Sequence, residues 1–338
     1  MQRRRFLAAM AAPLGAAQPA RIRVAMLGGA HPHSPAKAAL LRESRGWELA
    51  GIAEDDPAVR AGYEKAGAPL LSRRQVLEDP SIRVVAVGSA VKDHARDARQ
   101  ALEAGKHLHL EKPPATTMRE YRILAGLAAR NHLLVQMGYM WRHNPAIKTA
   151  LEAARQGWLG EVRTVRGAID ITGTPEGRRD WALFKGGVLF EMGGHLLDPA
   201  VRLLGRPSSI TPVMRKHGGF DDALADNAAV ILEYPRALAV IAASALRPNA
   251  GRHRFFEIVG ENGTAMVRPI EPPTLEIELL RPAGPYNGGR NNVKLPAYQR
   301  YADDFVELEA AVREGRPLSI TPAEDLLVQE TLLRACGM

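Results

Sequence analysis

The sequence predicts an α/β protein with two domains whose strands follow different patterns. Its 338 residues are enough for two domains with buried cores. Up to residue 138, short apolar runs alternate with helical stretches, which is typical of βαβ units and a parallel sheet. From residue 161 onwards, strand patterns follow one another, which indicates an open, mostly antiparallel sheet. We therefore expect one domain over 21–138 and an α+β domain over 139–338.

Composition and charge exclude several classes of function. The chain carries a net charge of +8, but its basic residues are scattered and lack the basic and aromatic stripe of a nucleic-acid-binding surface. No nucleic-acid partner is therefore expected. Cys336 is the only cysteine in the sequence, which excludes an intramolecular disulfide and a cysteine-based zinc cluster.

The first 20 residues are typical of an export signal. Arg3, Arg4 and Arg5 precede an Ala-rich apolar run over 8–17, as in a twin-arginine signal peptide. The run is too short to span a membrane as a helix, so no membrane anchor is expected. A basic start that is never cleaved is the alternative. The sequence therefore predicts a periplasmic or otherwise exported protein. Twin-arginine export carries folded proteins, often with a cofactor already bound.

The first domain is predicted to form a parallel sheet with helices between its strands. Strands are predicted over 21–27, 47–53, 84–87, 107–110 and 133–137. Helices are predicted over 35–45, 57–66, 94–104 and 115–131. In such a sheet, ligands bind at the carboxyl ends of the strands.

The turn after the first strand lies where a dinucleotide-binding fold places a Gly-x-Gly-x-x-Gly loop. Here the loop reads Gly28-Gly29-Ala30-His31-Pro32-His33. Only the first glycine of the pattern is kept, but the strand before it and the helix after it match the expected context. We therefore predict a Rossmann domain whose cofactor site includes Gly28, Ala30, His31 and His33. A domain of this topology that binds no nucleotide is the alternative, and two histidines without a further ligand do not predict a metal site.

An acidic residue at the end of the second strand indicates which dinucleotide is bound. Glu54 follows the glycine turn by about the distance at which this fold places a carboxylate on the ribose 2′-hydroxyl. That carboxylate would repel a 2′-phosphate, so the sequence favours NAD over NADP. Asp55 is the close competitor for the role.

The strand over 107–110 ends at Glu111-Lys112-Pro113-Pro114. Proline restricts the residue before it to an extended or turn conformation, so Lys112 is held at the ligand-binding edge of the sheet. A lysine there is a candidate proton donor or an anchor for a phosphate or carboxylate. A plain surface charge is the remaining interpretation.

The second domain is predicted to contain successive strands and three helices. Strands are predicted over 162–172, 209–216, 227–234, 237–245, 254–259, 264–267 and 274–280. Helices are predicted over 146–156, 301–314 and 323–335, and we expect the last two to pack between the domains.

A further helix, predicted over 186–198, carries candidate acid–base residues. Glu191 and His195 are spaced i, i+4 and so share one face. A carboxylate beside an imidazole raises its basicity, as acid–base catalysis requires. Gly193 and Gly194 inside the helix each cost roughly 1 kcal/mol relative to Ala, which suggests that another group approaches closely. A core helix with a hydrogen-bonded histidine is the structural alternative.

Together these features resemble the glucose–fructose oxidoreductase/inositol dehydrogenase (Gfo/Idh/MocA) family over nearly the whole chain after the signal. The resemblance depends on the first strand, loop and helix, on Glu111-Lys112-Pro113, on the polar and aromatic run over 139–145, and on the Glu191-xxx-His195-xx-Asp198 helix. The family implies a Rossmann domain followed by an α/β domain, whose open sheet commonly forms a dimer or tetramer interface. Its usual chemistry moves a hydride between a nicotinamide and a sugar or cyclitol carbon.

Carried over by motif, the resemblance implies roles for individual residues. Lys112 would contact the reacting hydroxyl, and His195 would act as general acid/base and contact the substrate. Glu191, a further catalytic candidate, stands where the family generally has Asp. Its side chain is one methylene longer, so its carboxylate must lie at a different position from that of an Asp. Asp198 would orient the histidine helix. Further implied positions are Ser89, His94, Glu111 and Lys112 for the cofactor, and Tyr139 and Arg142 for the substrate.

The export signal and the resemblance together define the expected activity. Because the periplasm supplies no free NAD, we expect an oxidoreductase that holds NAD tightly and transfers a hydride to or from a sugar, cyclitol or sugar derivative. One alternative is an NAD-using, redox-neutral enzyme that cleaves glycosides by oxidation and elimination. Another is a non-catalytic protein that binds a sugar or nucleotide on the same scaffold.

Overall fold

The computed structural model describes residues 20–338, so the predicted export signal lies outside it except for its last residue. The described chain forms a parallel sheet with helices, followed by a mostly antiparallel sheet with helices, which confirms the predicted fold class. Among residues 20–338, no helix combines the length and the apolar character that crossing a membrane requires.

The first domain contains a five-stranded parallel sheet in the order β2-β1-β3-β4-β5. Its strands are β1 (Ile22–Leu27), β2 (Trp47–Ala53), β3 (Ile82–Val87), β4 (His107–Leu110) and β5 (Val135–Met137). β1 and β3 are apolar almost throughout and buried, since helices cover both faces of the sheet. The strand order reverses between β1 and β3, so the loops after these two strands border a crevice at their carboxyl ends.

Within residues 20–338, five helices flank this sheet, one more than predicted. They are α1 (Ser34–Glu43), α2 (Pro57–Lys65), α3 (Arg73–Glu78), α4 (His94–Glu103) and α5 (Met118–Arg130). The additional helix is α3. It begins at a capping box in which the Ser72 hydroxyl accepts a hydrogen bond from the Gln75 amide and the Gln75 side chain accepts one from the Ser72 amide. Only Val76 of this helix is buried, so apolar periodicity does not reveal it.

The second domain contains an eight-stranded sheet in the order β13-β12-β11-β10-β6-β9-β8-β7. Its strands are β6 (Val162–Ala168), β7 (Ser209–Arg215), β8 (Asn227–Glu233), β9 (Leu238–Ser244), β10 (Phe255–Gly260), β11 (Gly263–Val267), β12 (Leu275–Leu279) and β13 (Gly289–Asn292). All neighbours are antiparallel except β6 and β9. β13 was not predicted, because its residues are polar and exposed for the most part.

The helices of the second domain differ from the prediction in two places. They are α6 (Pro145–Arg155), α7 (Pro175–Trp181), α8 (Gly194–Leu204), α9 (Ala302–Glu314) and α10 (Pro322–Ala335). α7 was not predicted. The helix expected over 186–198 begins instead as a π-helical segment, Leu189–Gly193, and continues as α8 beyond Pro199. π-Helical turns are rare and are often found at functional sites.

The last two helices join the domains. In α9, the backbone carbonyl of Phe305 accepts a hydrogen bond from the Trp47 indole of β2 (3.2 Å), and that of Asp304 accepts one from the Gln136 side chain of β5 (2.9 Å). α10 packs against α8 of the second domain and α5 of the first. The site between the domains is therefore bordered by elements that are fixed to both.

Candidate active site

A cavity of about 550 Å³ lies between the two domains. The first domain contributes Lys112, which follows β4 at the ligand-binding edge of the sheet. The second domain contributes Glu191 from the π-helical segment and His195 from α8. The sequence thus predicted three residues that the fold brings to one cavity, although 79 positions separate Lys112 from Glu191.

Lys112 and Glu191 form a buried ion pair across the domain boundary. The Lys112 ammonium donates to Glu191 Oε1 at 2.6 Å and to the Glu191 backbone carbonyl at 2.8 Å. The two side chains are only 1% and 8% exposed. An ammonium has three N–H donors, so two bonds leave one donor of Lys112 for a further group in the cavity.

His195 is surrounded by rings and has no carboxylate partner among the described residues. Its ring centroid lies 5.4 Å from that of Trp141 and 6.1 Å from that of Tyr139, and its buried Nδ1 has no hydrogen-bond partner. Burial, and then the positive charge of Lys112, lowers the pKa of His195 well below its ordinary value. The imidazole is therefore neutral at ordinary pH and able to accept a proton.

The carboxylate expected beside this imidazole binds a cation instead. Glu191 pairs with Lys112, so the interpretation of Glu191 as the partner of the imidazole is corrected. Asp198 accepts hydrogen bonds from Arg142 at 2.6 Å and from Arg202 at 3.1 Å. Asp198 still acts on the helix of His195, since its ion pair with Arg142 ties α8 to the segment after β5.

Glu111 lies at the centre of a second buried cluster beside Lys112. Its carboxylate forms an ion pair with the Lys37 ammonium of α1 and accepts a hydrogen bond from His33 Nδ1 at 3.2 Å. Burial alone would raise the pKa of Glu111, but the neighbouring His31, Lys37 and His33 hold it well below its ordinary value. Glu111 is therefore an ionised carboxylate that fixes α1 against β4.

The same cluster has the spacing of a metal site. One possible ligand atom each from His31, His33 and Glu111 lies within 4.8 Å of the others. However, His31 Nδ1 already accepts a hydrogen bond from the His33 amide at 3.2 Å, and Lys37 brings a positive charge to Glu111. A cation bound through His31 Nδ1 would displace that hydrogen bond and would lie close to the positive charge of Lys37, whereas hydrogen bonds and charge pairing account for the arrangement without a metal.

The loop after β1 keeps a glycine where the backbone requires one. Gly28 has φ = 74°, and a Cβ there would lie 2.4 Å from the Ser89 Cα atom in the loop after β3. The next amide, Gly29 N–H, donates to Glu54 Oε2 at 2.6 Å, and Asp56 N–H donates to Glu54 Oε1 at 2.8 Å. Glu54 therefore stands against the glycine turn, as a ribose-binding acid does in this fold, while also supporting the loop.

A second cavity of about 490 Å³ is bordered by the loops after β1 and β3. Ala30, His31 and Lys92 line it, and it shares Glu191 with the first cavity. Two buried polar atoms of these loops, His31 Nε2 and Ser89 Oγ, have no hydrogen-bond partner within the described chain. Unpaired polar atoms beside a cavity at the reversal point of the sheet fit a dinucleotide that would satisfy them.

His94 holds the cofactor loops in place from behind. Its ring is fully buried, with Nε2 2.9 Å from the Ser89 carbonyl and Nδ1 2.8 Å from the Pro113 carbonyl. It therefore links the loop after β3 to the segment that carries Lys112. The structure places it behind the loops, where it positions Ser89.

Tyr139 and Arg142, the expected substrate contacts, do not line the first cavity. Arg142 is buried between Asp198 and Asp325, with a guanidinium nitrogen 2.6 Å and 2.5 Å from their carboxylates. Tyr139 packs edge-on to His195, and a Cβ at Gly194 would lie 3.1 Å from the Tyr139 ring. This close approach is what the glycine pair of the helix predicted.

Comparison with known proteins gives the family. Residues 22–139 match the model of the oxidoreductase family with an NAD-binding Rossmann fold (GFO_IDH_MocA). Residues 147–266 match the model of the GFO/IDH/MocA C-terminal domain. The chain belongs to the Gfo/Idh/MocA family of oxidoreductases. The family membership predicted from the sequence motifs is thus confirmed, and so is the NAD-binding class of the first domain.

Several relatives of this Gfo/Idh/MocA chain have assigned activities. Levoglucosan dehydrogenase of Pseudarthrobacter phenanthrenivorans is 29% identical over 175 residues, which is 48% of this chain and 44% of the relative. The chain thus aligns with about half the length of the curated relatives it matches. Among solved structures, aldose-aldose oxidoreductase from Caulobacter crescentus has a TM-score of 0.79 at 21% identity, covering 94% of this chain and 98% of the other. GenD2 from gentamicin A biosynthesis, solved with NAD, has a TM-score of 0.78 at 24% identity and covers 97% of each chain. These two likenesses show the fold alone.

Sequence reasoning missed several residues that line the first cavity. They are Trp181, Arg254, Arg300 and Tyr301. Trp181 ends α7, whose start carries a readable signal, because Thr174 caps the helix and Pro175 occupies its first position. Arg254 and Tyr301 directly precede β10 and α9, and Arg300 lies in a connecting segment, where the sequence carries no signal that a side chain enters the cavity.

Proposed function

We propose that this protein is an NAD-dependent oxidoreductase that transfers a hydride to or from a carbohydrate-like substrate, a sugar, cyclitol or sugar derivative. The observation that carries the proposal is the joint exposure of Lys112, Glu191 and His195 to one cavity that shares Glu191 with the cavity at the glycine loop. NAD, when bound, accepts or returns the hydride. Gly28, Ala30, His31, His33, Glu54 and Ser89 are the residues that would hold it.

The residues of the chain supply proton transfer and positioning. The free donor of Lys112 binds the reacting hydroxyl, and Glu191 holds the ammonium in place through the 2.6 Å bond. His195, kept neutral by burial and by the charge of Lys112, accepts the hydroxyl proton when a hydride leaves the same carbon. The reverse reaction returns the proton from His195 to the carbonyl oxygen.

NAD is proposed over NADP on the charge of Glu54. Its carboxylate stands beside the glycine turn, where a 2′-phosphate would meet a negative charge. The nearby Arg73 is already paired with Asp55 at 3.1 Å and Asp97 at 2.7 Å, so it is not free to balance a phosphate.

The direct test is to purify the full chain, denature it and assay the supernatant for nicotinamide by absorbance and mass spectrometry. We expect NAD to be released in near-stoichiometric amount, and a panel of sugars and cyclitols to reduce the bound cofactor. Absence of nicotinamide, together with no binding of added NAD, would refute the proposal and leave a non-catalytic binding protein. Release of an aryl aglycone without added cofactor would instead establish redox-neutral glycoside cleavage.

We propose that the protein is exported by the twin-arginine route with NAD already bound. Support comes from Arg3, Arg4 and Arg5 before the apolar run over 8–17. Tight retention of NAD follows from the lack of a free pool outside the cytoplasm. Replacing Arg3, Arg4 and Arg5 with Lys should abolish export of the chain in a host with a functional twin-arginine pathway, while cytoplasmic yield stays unchanged.

We further propose that the open sheet pairs with a second copy of the chain to form a homodimer or homotetramer. On its outer face, Val213 of β7, Ile231 of β8 and Leu238 of β9 are all exposed, which gives an apolar surface without a covering layer in the described chain. Light scattering after gel filtration should show a dimer or tetramer, and Ile231→Lys should shift it towards monomer.

A further inference from the structure

Three lysine and arginine side chains line the first cavity: Lys112, Arg254 and Arg300. Of these, Arg254 alone has no carboxylate within 4.0 Å in the described chain. Lys112 pairs with Glu191, and Arg300 forms an ion pair with Glu271. Arg254 instead donates from Nε to the backbone carbonyl of Asp170 at 2.9 Å. This bond fixes the guanidinium at the start of β10 and leaves its two terminal NH₂ groups without a protein carboxylate.

Burial is the main influence on Arg254. It lowers the pKa of the guanidinium, whereas the nearby charge of Glu271 raises it, followed by a lowering by Arg300 and a raising by Asp170. A guanidinium that is partly removed from water is costly unless an anion contacts it directly, and no carboxylate of the described chain lies within 4.0 Å of it. The Arg254 guanidinium lines the same cavity as Lys112 and His195, so it is placed to bind an anionic group of the substrate.

We infer that the substrate is a sugar acid and that Arg254 binds its carboxylate. The inference rests on the proposed hydride-transfer function and names the substrate class for it. The planar fork of a guanidinium matches the two oxygens of a carboxylate. A single uncompensated positive charge also matches a monoanion better than a phosphate dianion, since Glu43 and Glu191 line the same cavity.

The rest of the cavity fits the remaining part of such a molecule. Trp181, Met140 and Met192 supply apolar surface for the C–H face of a sugar ring. An adjoining cavity of about 540 Å³ is lined by Thr172, Asn249 and Arg252 and shares Arg254.

The test compares matched pairs of sugars on the full chain with its cofactor. D-glucuronate is paired with D-glucose, D-galacturonate with D-galactose, and D-glucose 6-phosphate serves as the phosphate probe. Reduction of the nicotinamide is followed by absorbance, and binding of each sugar is measured separately by calorimetry. We expect the wild-type protein to prefer an acid over its neutral partner. Arg254→Gln should raise the KM or Kd for the acid by about 100-fold, as expected for two charge-assisted hydrogen bonds, and change that for the neutral sugar by less than about 3-fold.

Arg252→Gln is the matched control. It removes the same charge two residues earlier from an exposed side chain that lines only the adjoining cavity, so the preference for the acid should persist. A preference for neutral sugars or for the phosphate, or an acid preference unchanged in Arg254→Gln, would overturn the inference. If an acid binds with an Arg254-dependent affinity but no sugar reduces the cofactor, the inference stands and the proposed hydride transfer fails. Absence of both binding and turnover of every acid would overturn the inference.

Discussion

The ion pair between Lys112 and Glu191 gives a prediction that separates its electrostatic and chemical roles. We consider Lys112→Met, which keeps the length of the side chain without its charge, and Glu191→Gln, which keeps the shape of the acid. The two are combined in a double-substitution cycle. Because both side chains are almost fully buried, each single substitution leaves one charge without its partner inside the protein.

The magnitude follows from the burial and the bonds of the pair. Breaking a buried ion pair on one side costs about 3 to 5 kcal/mol. We expect about 3 kcal/mol for each single substitution, because Lys112 keeps its bond to the Glu191 carbonyl and Glu191 lies 3.9 Å from His31 Nε2. The double variant buries no unpaired charge and should lose less than about 1 kcal/mol. The coupling energy is therefore about 5 kcal/mol.

The assay is urea unfolding followed by the fluorescence of the four tryptophans, with activity measured in parallel. The exposed pair Arg99 and Glu103 provides the control cycle. Its side chains are 59% and 46% exposed, so its coupling should be about 0.3 to 0.5 kcal/mol. Activity should fall at least about 100-fold in Lys112→Met and should not recover in the double variant, because proton transfer is lost even where stability returns. Additive stability losses would refute the buried-pair reasoning, and an active double variant would refute the chemical role of Lys112.

Three further predictions follow from the cofactor loop and the histidines. Glu54→Gln should weaken NAD binding by about 10-fold or more and reduce the preference over NADP, whereas Asp55→Asn should leave NAD binding nearly unchanged in a calorimetric titration. Because the pKa of His195 is held well below its ordinary value, kcat/KM should not fall as pH decreases from about 7.5 to about 6. Lys112→Met removes a positive charge that lowers this pKa. The variant should therefore have a higher pKa at His195, and its residual activity should begin to fall at a higher pH. Prolonged treatment with a chelator should change neither the melting temperature nor the activity, and a metal bound stoichiometrically through His33 would contradict the hydrogen-bonded interpretation of its cluster.

The regular elements could be predicted where the sequence carries a strong period. β2 was predicted over the same residues that the structure gives, because its seven residues follow Arg45-Gly46 and end at the acidic run that begins with Glu54. α3 and α7 were missed because each buries a single residue, so their only signals are caps at Ser72 and Thr174. β13 was missed because it is an edge strand with polar side chains, which resembles a loop in sequence.

The residues of the candidate site could be predicted from the sequence only where they belong to a short motif. Lys112 and His195 belong to short patterns, and the order of the sheet brings the first to the ligand edge. Arg142 was predicted to contact the substrate, but in the structure it is paired with Asp325. Asp325 lies 183 positions away and reaches Arg142 through the packing of α10. Nothing in the sequence near Arg142 indicates that pairing. Arg254 was missed for the same reason, since what distinguishes it is the lack of a carboxylate neighbour in three dimensions.

The departures of the glycine loop from its pattern are explained by what His33 contacts. Of the three glycine positions in the pattern, only position 28 still holds a glycine, and its backbone conformation and its contact with Ser89 both exclude a side chain. His33, at the last position of the pattern, reaches Glu111 at 3.2 Å, and its ring lies 5.9 Å from that of His195. A loop residue of the cofactor domain therefore contributes, after burial and Lys112, to the low pKa of His195 in the other domain. The residue that departs from the sequence motif thus lies in the immediate surroundings of the acid–base residue of the other domain.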